Sequence, residues 1–139
     1  MRLTSRENMD PQALKTLYGV RFHHFVTRGG RLLATLATEP LSVVDDRSDS
    51  AEVAVSCAVC SAGDAPSRAR GRQIALGRLE VGKTETYALG ALKSRIADRS
   101  IVADFVPEKL ARRLGYDTVA DLLGDLRPRR DFPTGKDGV

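Results

Sequence analysis

Apolar and polar positions change their period several times along the chain, and each change marks an element. From Asp10 to Gly19 (DPQALKTLYG), Ala13, Leu14, Leu17 and Tyr18 recur at helical spacing. Asp10 suits the cap of this short helix, Pro11 its first position and Gly19 its end. The next stretch alternates instead. Val20, Phe22, His24 and Val26 are set against Arg21, His23, Phe25 and Thr27, the period of a strand. Gly29 and Gly30 supply the backbone freedom of a tight hairpin turn. A two-residue turn sets Val26 opposite Leu33 and Phe25 opposite Ala34, and both faces of the hairpin are apolar enough for a sandwiched position. After a polar loop, Val53, Val55, Cys57 and Val59 alternate with the small Ala54, Ser56 and Ala58. That pattern predicts a third strand with one face suited to close packing.

Helical spacing then returns. In GDAPSRARGRQIALGRL, Gly63 to Leu79, Asp64 reads as a cap and Pro66 as a first-turn residue, while Ile74, Ala75, Leu76 and Leu79 make a core-facing arc. Gly71 and Gly77 each cost up to about 1 kcal/mol relative to alanine in a helix interior. Close packing on the sheet or a ligand backbone must compensate, and Gly71, one turn before Ala75, is suited to the first. GKTETYALGALKSRIADRS predicts another helix, capped at Thr84 with Leu89, Leu92 and Ile96 as its stripe. IVADFVP reads as a short edge strand or a linker. Pro107 to Gly115, then a segment capped at Asp117 or Thr118 with Val119, Leu122, Leu123 and Leu126 inward, predict a helical hairpin rimmed by Arg127, Arg129 and Arg130. The expected architecture is α+β: a small three-stranded antiparallel sheet covered by helices over 1–98, a C-terminal helical hairpin packed on it over 99–127, and a flexible basic tail over 128–139.

Composition narrows the partners more than the fold. With 139 residues, 42% apolar and 29% charged, the chain can bury one core without staples. No apolar run approaches the ~20 residues of a membrane span, and the polar MRLTSRENMDPQ start has no signal-like core, so a cytoplasmic protein without membrane contact is expected. The net charge of +4 favours a polyanionic partner. Its distribution says more. Residues 39–52 hold the acids Glu39, Asp45, Asp46, Asp49 and Glu52, whereas Arg68, Arg70, Arg72 and Arg78 follow in a stretch of positive charge only.

Enzyme chemistry finds little support. Cys57 and Cys60 form a lone C-x-x-C, and zinc would need two further ligands where the only histidines are the adjacent His23 and His24. Strand periodicity points neighbours at odd spacing to opposite faces, so neither pair converges on one metal. The cysteines read as buried structural thiols and the histidines as packed strand residues. Gly82-Lys83-Thr84 lacks the leading glycine of a P-loop. No cofactor and no metal are expected, and aromatics for base stacking are scarce at 5%. The helix arginines either cross to the acids of 39–52 or, with the exposed N–H groups of a helix start, cradle phosphate. Ser67, Arg68, Arg70, Arg72 and Arg78, helped by Arg129 and Arg130, are the candidate contacts to a nucleic acid, with duplex favoured. The alternative partner is a host protein held through Glu39, Asp45, Asp46, Asp49 and Glu52.

Two resemblances bear on this. CSAGDAPSRARGRQIALGRL, Cys60 to Leu79, is similar to a run in small uncharacterised bacteriophage and prophage proteins: a strand ending in Cys-Ser, an Asp, then S-(R/K)-x-x-G-R-x-I-A-x-G-R-L. It implies a phage or mobile-element origin, and with it a role in phage nucleic-acid metabolism or in inhibiting a host factor. The order helix, three strands, basic helix over residues 10 to 80 resembles that of the double-stranded-RNA-binding domain. This second likeness implies that Ser67, Arg68, Arg70 and Arg72 meet phosphates across a groove. The chain lacks that family's lysine pair.

Overall fold

The computed structural model describes residues 6–41, 48–60 and 67–130. Helix α1 (Pro11–Tyr18) starts and stops where its end residues dictate. Asp10 Oδ1 accepts from Ala13 N at 2.7 Å, and Gly19, at φ 74°, lets the chain turn out of the helix. Strands β1 (Arg21–Thr27) and β2 (Leu32–Pro40) follow as an antiparallel hairpin. Their turn is one residue longer than expected. Gly30 N donates to Thr27 O and Thr27 N to Arg31 O, each at 2.8 Å, with Gly30 at φ 87°. This is a three-residue loop ending in a left-handed glycine, which places a bulge beside it. Phe25 still faces Ala34, but Val26 faces Leu32 rather than Leu33.

Strand β3 (Glu52–Val59) pairs with β2, and helix α2 (Arg68–Glu80) returns across the sheet. Its cap is Ser67, whose Oγ accepts from Arg70 N at 3.2 Å. Asp64, expected as the cap, and Pro66, expected in the first turn, lie outside the described residues. Next come β4 (Glu85–Ala88), α3 (Leu89–Ala97), a 3-10 helix (Ser100–Asp104), α4 (Glu108–Arg113), α5 (Val119–Gly124) and β5 (Leu126–Arg130). Ile101, Val102 and Val106 are fully buried, so IVADFVP is neither strand nor linker. Thr118 caps α5, its Oγ1 accepting from Asp121 N at 3.1 Å.

The expected three-stranded sheet is overturned: among the described residues the sheet has five strands, all antiparallel, in the order β4-β3-β2-β1-β5. Both additions escape periodicity for a physical reason. Glu-Thr-Tyr-Ala is too short to show alternation and lies inside a helix-like run; pairing with Glu52–Val55 makes it a strand. Leu-Arg-Pro-Arg-Arg has the composition of coil, yet its backbone pairs with His23–Thr27, and Pro128 is tolerable there because β5 is an edge.

The sheet is apolar on both faces, as the hairpin pattern implied. One face presents Phe25, Leu36, Val53, Val55 and Cys57 to Leu92 of α3, Ile101 and Val102 of the 3-10 helix, Ala111 of α4 and Leu122 of α5. The other presents Phe22, Ala37 and Ala58 to Leu14 of α1 and to Ala75 and Leu76 of α2. Part of the acidic loop is structural. The carbonyls of Asp49 and Ala51 accept from Gly90 N and Leu89 N at 2.9 and 2.8 Å and so satisfy the first N–H groups of α3.

A contact absent from any local pattern ties the chain start to three elements. Arg6 forks onto Glu39 at 2.9 and 3.0 Å, reaches Glu80 through Nε at 2.7 Å and stacks over the Tyr18 ring at 4.7 Å. The two carboxylates hold its guanidinium more firmly protonated than usual. Arg6→Ala should cost about 1–3 kcal/mol in urea unfolding, since it strips a two-pronged partner from Glu39. Arg6→Lys should recover only part of that, because an ammonium cannot fork. Unchanged midpoints in both variants would show the clamp to be energetically idle.

Candidate nucleic-acid interface

Helix α2 lies along β2 and β3 because its inner face and the sheet beneath it are both small. An added Cβ on Gly71 would stand 2.5 Å from Thr35 Oγ1, so backbone meets side chain directly there. Ser56 Oγ donates to Ala75 O at 2.5 Å, and Thr35 Oγ1 is hydrogen-bonded to His24 Nδ1 at 2.8 Å. His24 is fully buried. These bonds give the buried Thr35 and Ser56 hydroxyls and His24 Nδ1 partners, and the Ser56 bond and the Gly71 contact pin the axial position of α2.

The outward residues of α2 are then fixed. Ser67 and Arg70 are exposed; Arg68 and Arg72 are half-buried, and each is engaged in a polar or electrostatic contact. The first turn contains no acid. Arg78 is differently committed: its Nη1 donates to the Cys57 carbonyl. That carbonyl lies past the end of β4, which pairs only with Glu52–Val55, so the arginine caps a stretch of β3 edge. Arg129 and Arg130 stand on β5 opposite His24 and His23.

The acids expected to bind a protein partner are partly committed within the fold. Glu39 is held by Arg6, Asp49 packs on Gly90, and Glu52 is exposed at the start of β3. Asp45 and Asp46 lie outside the described residues.

Cys57 is buried and Cys60 half-buried, and neither is in a disulfide. Burial pushes the Cys57 thiol up to about 12, against a smaller opposite pull from Arg78, so it stays protonated and unreactive at neutral pH. Among the described residues no group of three or more His, Cys, Asp or Glu is arranged to hold a metal, and no helix is long and apolar enough to cross a membrane. A polar lock on the other side of the sheet is structural. Asp104 accepts from Tyr87 OH at 2.5 Å and from Arg95 at 2.6 and 2.9 Å, which fastens β4 to α3 and the 3-10 helix. The arginine holds the Asp104 carboxyl below its usual range, while burial and the carboxylate push the Tyr87 phenol up.

Arg6, Arg28 and Arg31 carry no local signal in the sequence. The first is a hub only through tertiary contacts, and the other two flank a glycine turn that drew attention to itself.

The fold and the arginine surface together define a class: an α+β protein whose five-stranded antiparallel sheet lies between two helical layers, with a basic helix outermost. Compared with family models, curated proteins and solved structures, the chain matches none.

Proposed function

We propose that the protein binds nucleic acid through its phosphate backbone, with the first half of α2 as the principal contact. The observation that carries this reading is an arginine-rich first turn without an acid, exposed at Ser67 and Arg70 on a helix whose position the sheet fixes. The unpaired N–H groups and positive end of such a helix favour an anion, and a guanidinium binds phosphate oxygens in pairs. Duplex is the favoured form. Among the described aromatics Phe22 and Phe25 are buried, Phe105 is half-buried against the core, and Tyr87 and Tyr116 are half-buried with their hydroxyls on carboxylates. Tyr18 is exposed but lies under Arg6. None offers a base-stacking platform beside α2. Backbone contacts of this kind orient without reading sequence, so specificity should be weak.

Fluorescence-anisotropy titration of duplex DNA, duplex RNA and single strands at two salt concentrations tests this. The expected result is salt-sensitive binding, strongest for a duplex, weakened on the order of tenfold by Arg70→Glu. No binding to any of them at low salt would end the proposal.

A further inference from the structure

Helix α2 and strand β2 run in the same direction, and their steps match. Gly71 sits on Thr35; four residues later Ala75 receives Ser56, whose strand partner is Ala37. Four helical residues advance about 6 Å and two strand residues about 6.6 Å. Carried back one turn, Ser67 and Arg68 stand level with Leu33. Beyond Leu33 the strand runs out into the β1–β2 turn, where Arg28 is exposed and Arg31 half-buried. On the far side of the hairpin Val26 is opposite both Leu32 and Arg127, which is exposed at the start of β5.

One end of the sheet therefore gathers arginines from three elements distant in sequence: Arg68 and Arg70 on α2, Arg28 and Arg31 at the turn, and Arg127 on β5. Strands stand about 4.8 Å apart, so the step from β2 to β5 is about 10 Å. A carboxylate stands there as well, Asp125, with one oxygen accepting from Tyr116 OH at 2.6 Å and the other from Arg28 N at 3.4 Å. The opposite end holds Glu39, Glu80 and Glu52, the first two clamped by Arg6.

We infer that the phosphate-binding surface extends from the first half of α2 across this end of the sheet, with the β1–β2 turn and the start of β5 as a second point of contact on a duplex backbone. The inference rests on the proposed function and goes beyond it by assigning Arg28 and Arg127 to the surface. Two points of contact fix the orientation of the protein on a duplex, which a single helix end does not.

The test measures the dependence of log affinity on log salt for a 20-base-pair duplex, once as DNA and once as RNA. Each phosphate contact contributes about 0.9 to that slope on B-form DNA. Arg28→Ala and Arg127→Ala should each lower it by about that amount and weaken binding several-fold, and Arg28→Lys should keep the slope. Arg21→Ala is the matched control: the same charge change, exposed, but at the far end of β1 opposite Thr38. It should leave both readings unchanged. If Arg28→Ala and Arg127→Ala behave like Arg21→Ala while Arg70→Glu still weakens binding, the second contact is overturned and the α2 reading stands. If the wild-type protein binds neither duplex, both fall.

Discussion

Gly71→Ala should destabilise the protein by about 2–4 kcal/mol, although alanine is the better helix former by up to about 1 kcal/mol. The new methyl group would stand 2.5 Å from Thr35 Oγ1 and 3.1 Å from its Cβ. Thr35 cannot swing aside cheaply. It is a β-branched residue on a central strand, and its hydroxyl is the hydrogen-bond partner of the fully buried His24. Either α2 lifts off the sheet or the His24 bond breaks with its groups still buried, and both are costly. Gly77 is the internal comparison. Nothing lies within 4 Å of a Cβ placed there, so Gly77→Ala should raise stability by up to about 1 kcal/mol. Urea unfolding of the two variants reads both signs. A double-mutant cycle with Thr35→Ala should show strong coupling to Gly71→Ala and none to Gly77→Ala. A stabilising Gly71→Ala would mean that the helix does not sit where described.

Stability should fall steeply above pH 9. Cys57 ionises at its ordinary 9.0 in the unfolded chain and only at about 12 in the buried site. Tyr116, raised from 10.0 to about 12 by burial and then by its bond to Asp125, adds in the same direction. A raised native pKa means that the unfolded chain loses its protons first. The contribution is complete below pH 9 and is lost as pH rises from 9 toward 12. The Cys57 share is up to about 4 kcal/mol by that linkage. Urea midpoints from pH 7 to 11 should therefore slope downward beyond 9, with a shallower slope in Cys57→Ala despite its lower starting stability. Equal slopes would mean that the thiol is not desolvated. In the native protein at pH 8, a thiol reagent should modify Cys60 well before Cys57.

Local chemistry made much of this fold readable along the chain. Asp10, Pro11 and Gly19 bounded α1; alternation identified β1 and β3, and the glycine turn implied β2; the small face Ala54, Ser56 and Ala58 announced close packing, and Gly71 marked a point of close approach to the sheet. These signals are legible because each is a relation between residues a few positions apart. Where whole strands were missed the deciding partner was remote, and in the hairpin turn it was a backbone bond that the glycine pair does not announce. The extra residue in the hairpin turn follows from Thr27 bonding to Arg31 rather than from the glycines themselves. Strands β4 and β5 have no strand pattern of their own and exist because β3 and β1 offer free backbone edges.

The candidate surface divides in the same way. The sequence by itself determined that α2 would carry a run of arginines free of acids, since charge and helical spacing are written in the residues. Only the tertiary structure decided how those arginines are used. It ties Arg78 to the Cys57 carbonyl, leaves Arg70 exposed, and sets Arg127 opposite Val26, at the turn end of the β1–β2 hairpin that carries Arg28. Strand register and the close contact at Gly71 fix those positions, and both arise between residues tens of positions apart, where no periodicity along the chain can record them.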